Sequence, residues 1–142
     1  MLGVIFSILA GAAMSFQGVI NTRLGEKAGI FEANAFVQGT AFILSLLVMF
    51  VFGKGSLAAL FSADKVYLTG GALGLIITIT VMLAIRHQSP TVAISIILIS
   101  QLLVAAGIDA FGLLESQQID FTIGKYIGLA MMLGGVMVFK FL

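Results

Sequence analysis

The groups best placed to do chemistry in this chain are four carboxamides set in apolar surroundings. Gln17 and Asn21 stand one helical turn apart, and Gln38 and Gln101 follow, the last preceded by Ser100. Each carboxamide offers two N–H donors and two acceptor lone pairs without carrying charge. Converging on a wet cleft, Gln17, Asn21, Gln38, Ser100 and Gln101 would line a path for a small neutral or zwitterionic solute. Paired across helices they would only hold them together, at about 0.6 kcal/mol per contact on average. Both readings stay open. Asn34, Thr40 and Ser45 add further polar groups. Thr78 and Thr80 read more simply, as hydroxyls bonded back to their own helix carbonyls.

The acids are placed differently. No Asp or Glu falls in the middle of an apolar stretch. Ion-coupled carriers usually need an intramembrane carboxylate, and Asp109 and Glu32 are the two near-membrane candidates for proton coupling, Asp109 the better. Interfacial capping competes for each. Glu26 and Asp64 read as loop residues, Glu115 and Asp120 as helix-end or loop residues, and His87 as a solvated boundary residue. One histidine and no cysteine leave no set for nucleophilic catalysis, a metal site or a disulfide. There is no Walker loop. An enzyme, a metal and a cofactor are therefore not expected, and a net charge of +1 makes no case for nucleic acid.

The elements that must carry these residues follow from where charge is missing. Hydrophobic residues make up 61% of the 142, and charged ones only 9%. A soluble domain averages about 25% charged residues, so the solvent for this chain is lipid. Residues 1–22, 33–53, 66–85 and 87–108 contain no Lys, Arg, Asp or Glu. Each run matches the ~20 residues needed to cross about 30 Å of hydrocarbon. A shorter run, 126–139, lies between Lys125 and Lys140, whose side chains can snorkel to the interfaces. The reading is an all-α integral membrane protein: one transmembrane domain over 1–142, with helices at about 1–22, 31–53, 66–86, 90–109 and 121–142. Pro90 would occupy the first turn of the fourth, where its missing N–H costs nothing. A signal peptide fits residues 1–22 poorly, because no basic segment precedes the apolar run.

Small residues form stripes. Gly11, Ser15 and Gly18 line one side of the first helix, beside a face of Ala10, Ala13, Gln17 and Asn21. Gly70 and Gly74 open the third, and Gly124 and Gly128 the fifth. Such spacing lets helix backbones approach closely, so these residues are read as packing positions. The methionines and phenylalanines read as core or lipid-facing.

An odd number of spans puts the ends of the chain on opposite sides. On the face opposite the N-terminus lie Arg23, Lys27, Arg86 and Lys140; on the N-terminal face lie Lys54, Lys65 and Lys125. The positive-inside rule works through an imbalance in this count, and here there is almost none. A single charge, or factors outside the sequence, can still decide orientation; one copy inserting each way, with opposite copies pairing, is the sharper reading.

At this point the motifs resemble a known family. "GAAMSFQGVINTRLG", with Gln17, Asn21, Arg23, Leu24 and Gly25, is similar to the first-helix signature of the YdcZ family (domain of unknown function 606) of the drug/metabolite transporter superfamily. "GGALG" at 70–74 resembles its third-helix opening, and "GKYIGLAMMLGGVMV" at 124–138 its closing helix. "SQLLVAAGIDAFGLLE" at 100–115 resembles its G-Q-L-x₆-D-H-F-G-L-L signature through Gln101, Leu102, Asp109, Phe111, Gly112, Leu113 and Leu114. Ser100 and Ala110 depart from it, standing where relatives commonly carry glycine and histidine. The resemblance implies a multi-pass inner (plasma) membrane protein that works as an antiparallel, dual-topology homodimer, or with an oppositely oriented paralogue, in an inverted-repeat bundle. It also implies secondary transport of a small polar or amphipathic metabolite by alternating access. Small multidrug resistance proteins of the superfamily carry a glutamate mid-way along their first helix; residues 8–18 here contain no acid, so that antiport chemistry is not available. A passive pore and a non-transporting scaffold are the rival expectations.

Overall fold

The structure, a computed structural model, describes residues 1–116, 118 and 122–141. Among them five helices are long and apolar enough to cross a membrane. The chain divides into two compact units, residues 1–87 and 88–142.

The first unit packs three helices against one another: α1 (Leu2–Ala28), α2 (Ile30–Phe52) and α3 (Gly70–His87). α1 does not stop at Thr22. It continues through Arg23, Glu26 and Lys27 to Ala28, so Glu26 is helical and not a loop residue. At 1.5 Å per residue α1 is about 40 Å long, which exceeds the hydrocarbon thickness and carries its charged end out of the bilayer. There Arg23 Nη1 pairs with Glu26 Oε2 at 2.9 Å. Gly29 alone turns the chain from α1 into α2, at φ 102° and ψ 145°, a conformation that L side chains rarely adopt. Glu32, in the first turn of α2, folds its carboxylate over the space where a Gly29 Cβ would lie. Glu32 lies near the positive end of the helix dipole, but no side-chain cap hydrogen bond is made at this helix end.

α2 ends at Gly53, and two short 3₁₀ helices, Leu57–Ser62 and Lys65–Thr69, lead to α3. The expected third span began at residue 66; its first turn is 3₁₀ and the α-helix proper begins at Gly70.

The second unit is a helical hairpin of α4 (Pro90–Phe111) and α5 (Ile123–Phe141). Ser89 caps α4, its hydroxyl accepting from the Val92 N–H at 3.4 Å, and Pro90 opens it. Gly112, left-handed at φ 60°, closes it two residues beyond the expected end at 109. Leu114 and Glu115 follow with φ 56° and 62°. Left-handed geometry at a branched side chain and at Glu costs roughly 1–2 kcal/mol per residue, so this corner is strained. Residues 121 and 142, the expected bounds of the fifth span, and Asp120 lie outside the described residues.

Few apolar side chains are buried. Ala33, Met82 and Ile85 are buried in the first unit, and Ala93 and Ile99 in the second. Large side chains all along the helices, among them Phe6, Phe42, Phe50 and Phe139, are exposed. A helix apolar all round is solvated by lipid.

Candidate functional site

α1 and α3 meet along complementary stripes. On α1 the buried residues are Gly18, Asn21, Thr22 and Gly25, which recur at helical spacing. A Cβ at Gly18 would stand 2.9 Å from Ile85 Cδ1 and 3.1 Å from Val81 Cγ1; one at Gly25 would touch Met82 Sδ and Ile30 Cγ1, both at 3.5 Å. At Gly18 glycine lets α3 approach, while a Cβ at Gly25 would make ordinary contact. Gly25 belongs to this seam although the small-residue stripe read from the sequence ended at Gly18. Thr22 is compatible with burial because its hydroxyl donates to the Gly18 carbonyl at 2.7 Å.

Above this contact the helices leave a cavity of about 50 Å³. Gln17 and Asn21 line it from α1 and Thr78 from α3, with Met14, Ile77 and Val81 as apolar walls. Asn21 is only 6% exposed. Its side chain forms no hydrogen bond with any described residue, so the amide is open to a guest in the cavity it lines. Gln17 is exposed.

Gln38 reaches the same place from α2. Its Nε2 donates to Thr78 Oγ1 at 3.4 Å, while the Thr78 hydroxyl donates to the Gly74 carbonyl at 2.8 Å. Thr78 is thus back-bonded, as expected of it, but also belongs to the polar cluster. Thr80 is back-bonded to Ile76 at 2.8 Å. Gly74 lies beside Gln38, whose Nε2 would make ordinary contact with a Cβ there at 3.8 Å. Asn34, 3% exposed, is buried in the same three-helix unit, and its Oδ1 has no hydrogen-bond partner.

Three of the five predicted pathway residues, Gln17, Asn21 and Gln38, therefore share one neighbourhood. Ser100 and Gln101 belong to α4 in the second unit, both exposed, with the Ser100 hydroxyl donating to the Ile96 carbonyl at 3.0 Å. Neither Glu32 nor Asp109 lines the amide cavity. Among the predicted packing residues, Gly18 and Gly74 meet another helix. Gly11, Gly70, Gly124 and Gly128 have no neighbouring atom within 4 Å of a would-be Cβ, and Ser15, half-buried, donates to the Gly11 carbonyl at 3.0 Å. Among the described residues no three His, Cys, Asp or Glu cluster to hold a metal.

No curated protein and no solved structure matches this chain. One family model does, over residues 2–138, and its span takes in α1 to α4 and nearly all of α5. With five apolar helices and a match over almost its whole length, the chain is a multi-pass inner membrane protein and belongs to the family described as "Putative inner membrane exporter, YdcZ".

Proposed function

We propose that the chain is a secondary carrier of a small neutral or zwitterionic solute, working by alternating access as an antiparallel homodimer. The observation that carries this reading is Asn21, a buried residue whose side chain has no hydrogen-bond partner among the described residues and lines the cavity with Gln17 and Thr78. No charged residue lines that cavity, which favours a solute without net charge. A volume of about 50 Å³ admits roughly one or two waters. Solute entry therefore requires α1 and α3 to part. Two inverted copies would supply the inverted repeat on which rocking-type carriers depend, and the near-even distribution of Lys and Arg supports insertion both ways. The family description supports outward flux.

A thermal-shift screen of neutral amino acids, polyols and small amides against the purified protein selects the probe. Counterflow of that labelled probe into proteoliposomes then tests the reading. A carrier gives saturable uptake accelerated by unlabelled probe inside; a pore gives uptake that is neither. Q17L separates the scaffold reading: a carrier loses flux while its dimer persists, whereas a scaffold loses assembly.

A further inference from the structure

The α4–α5 hairpin carries a second feature, independent of the amide cavity. A groove of about 590 Å³ runs between the two helices, walled by Leu102, Ala105, Ala106, Gly128, Leu129 and Met132. This is the size of a ligand site, and its wall is apolar apart from Asp109 and Lys125. The space beside Gly128 is open, with no atom within 4 Å of its would-be Cβ.

Asp109 is half-buried and has no hydrogen bond or ion pair with any described residue. It lies two residues before the end of α4. There the helix dipole presents its negative end, so the carboxylate gains nothing from its own helix and calls for a cation. Lys125 is the third residue of α5 and lines the same groove. α4 and α5 are successive spans, so the end of one and the start of the other fall on the same side of the membrane. Their lengths, about 33 Å and 28 Å at 1.5 Å per residue, are close to the hydrocarbon thickness. That places Asp109 and Lys125 near headgroup depth, with the apolar wall running from them into the acyl region.

We propose that this groove binds a lipid whose headgroup carries a primary amine. The ammonium sits on Asp109, and an acyl chain lies along Ala105, Ala106 and Leu129. The match rests on charge and depth together: a carboxylate at headgroup depth and an apolar wall in one groove answer an amine and a chain in one lipid. A helix from a second copy would fill the apolar part but bring no amine of its own unless one of its terminal lysines or arginines met Asp109.

The test uses the delipidated full-length protein in detergent, with phosphatidylethanolamine and phosphatidylcholine of identical acyl chains, read by native mass spectrometry. The trimethylated headgroup has the charge but no N–H donor. Phosphatidylethanolamine is expected to be retained about tenfold better, the size of one charge-assisted hydrogen bond. N-methylation of the headgroup should erode that preference stepwise. D109N should bring phosphatidylethanolamine down to the phosphatidylcholine level and D109E should keep the preference. G128L, which fills the groove, should lower retention of both lipids. Equal retention of the two lipids by the unaltered protein overturns the proposal, and that comparison stands even if D109N fails to fold. So does a D109N protein that keeps the preference. A change of oligomeric state in D109N with lipid retention unchanged would assign the groove to a second copy and also overturn it.

Discussion

Gln38 Nε2 donates to Thr78 Oγ1 at 3.4 Å, a bond between residues forty apart in the chain that ties α2 to α3 beside the amide cavity. T78V keeps the shape of the side chain and removes the acceptor. Interhelical bonds of this kind average about 0.6 kcal/mol and reach about 1.7, so T78V is expected to lower unfolding free energy in detergent by no more than that. Probe affinity should fall further, by about tenfold, because Thr78 also lines the cavity. T78S should restore both. A T78V protein that loses stability and keeps full probe flux would make the cluster glue alone.

Gly18 lies against Ile85 and Val81 of α3. A Cβ there would stand 2.9 Å from Ile85 Cδ1, and a larger side chain overpacks the seam at a typical cost of about 1–3 kcal/mol. G18V is expected to lie in that range. G18A should cost less, and combining it with I85V should recover most of the loss by removing the methyl it meets. G11A provides the contrast. Nothing surrounds its Cβ, so it should be neutral or stabilising by up to about 1 kcal/mol from helix propensity. Thermal unfolding of the four variants in one detergent checks the ordering, and equal midpoints for G18V and G11A would contradict the geometry.

These residues also show what the sequence discloses and what it hides. The spans are readable because charge is absent from runs of about the length a bilayer demands. The extra turn of α1 is hidden from that count, since Arg23, Glu26 and Lys27 are charged and helical at once. Gln17 and Asn21 are recognisable as a pair from spacing alone. Their meeting with Thr78 is not, because it depends on how α3 rotates about its axis, and an almost uniformly apolar helix carries no amphipathic mark of that rotation. Gly18 and Gly11 are alike in sequence and unlike in space for the same reason. Asn34 is a polar residue near a helix start in the sequence; only packing reveals that its Oδ1 is buried without a partner.

Gly29 is held in place by its backbone. Its φ of 102° excludes most L residues, whereas the exposed Glu32 carboxylate beside the would-be Cβ can swing aside. Backbone strain of this kind costs about 1–3 kcal/mol. G29A is therefore expected to destabilise the α1–α2 turn by about that amount in detergent unfolding. Adding E32A should recover little of the loss, because the strain lies in the dihedral angle and not in the movable carboxylate. Full recovery in the double variant, or a G29A protein as stable as the parent, would remove the argument.

Orientation can be read directly, because the chain has no cysteine. Ser56 and Gln88 are exposed and stand at opposite ends of the third span. In separate variants, S56C and Q88C place one thiol on each side of the membrane. A membrane-impermeant maleimide applied to intact cells should label both variants, each to about half of its total thiol, if copies insert both ways. The charge distribution makes this balance adjustable: Arg23, Lys27, Arg86 and Lys140 on one face oppose Lys54, Lys65 and Lys125 on the other. Two further lysines in the 54–65 link should drive that face to the cytoplasm, suppress S56C labelling and raise Q88C labelling. If inverted copies form the carrier, flux should fall as the population becomes uniform, and return when an oppositely biased variant is expressed with it. Labelling of one thiol alone in the unaltered background would exclude the antiparallel homodimer.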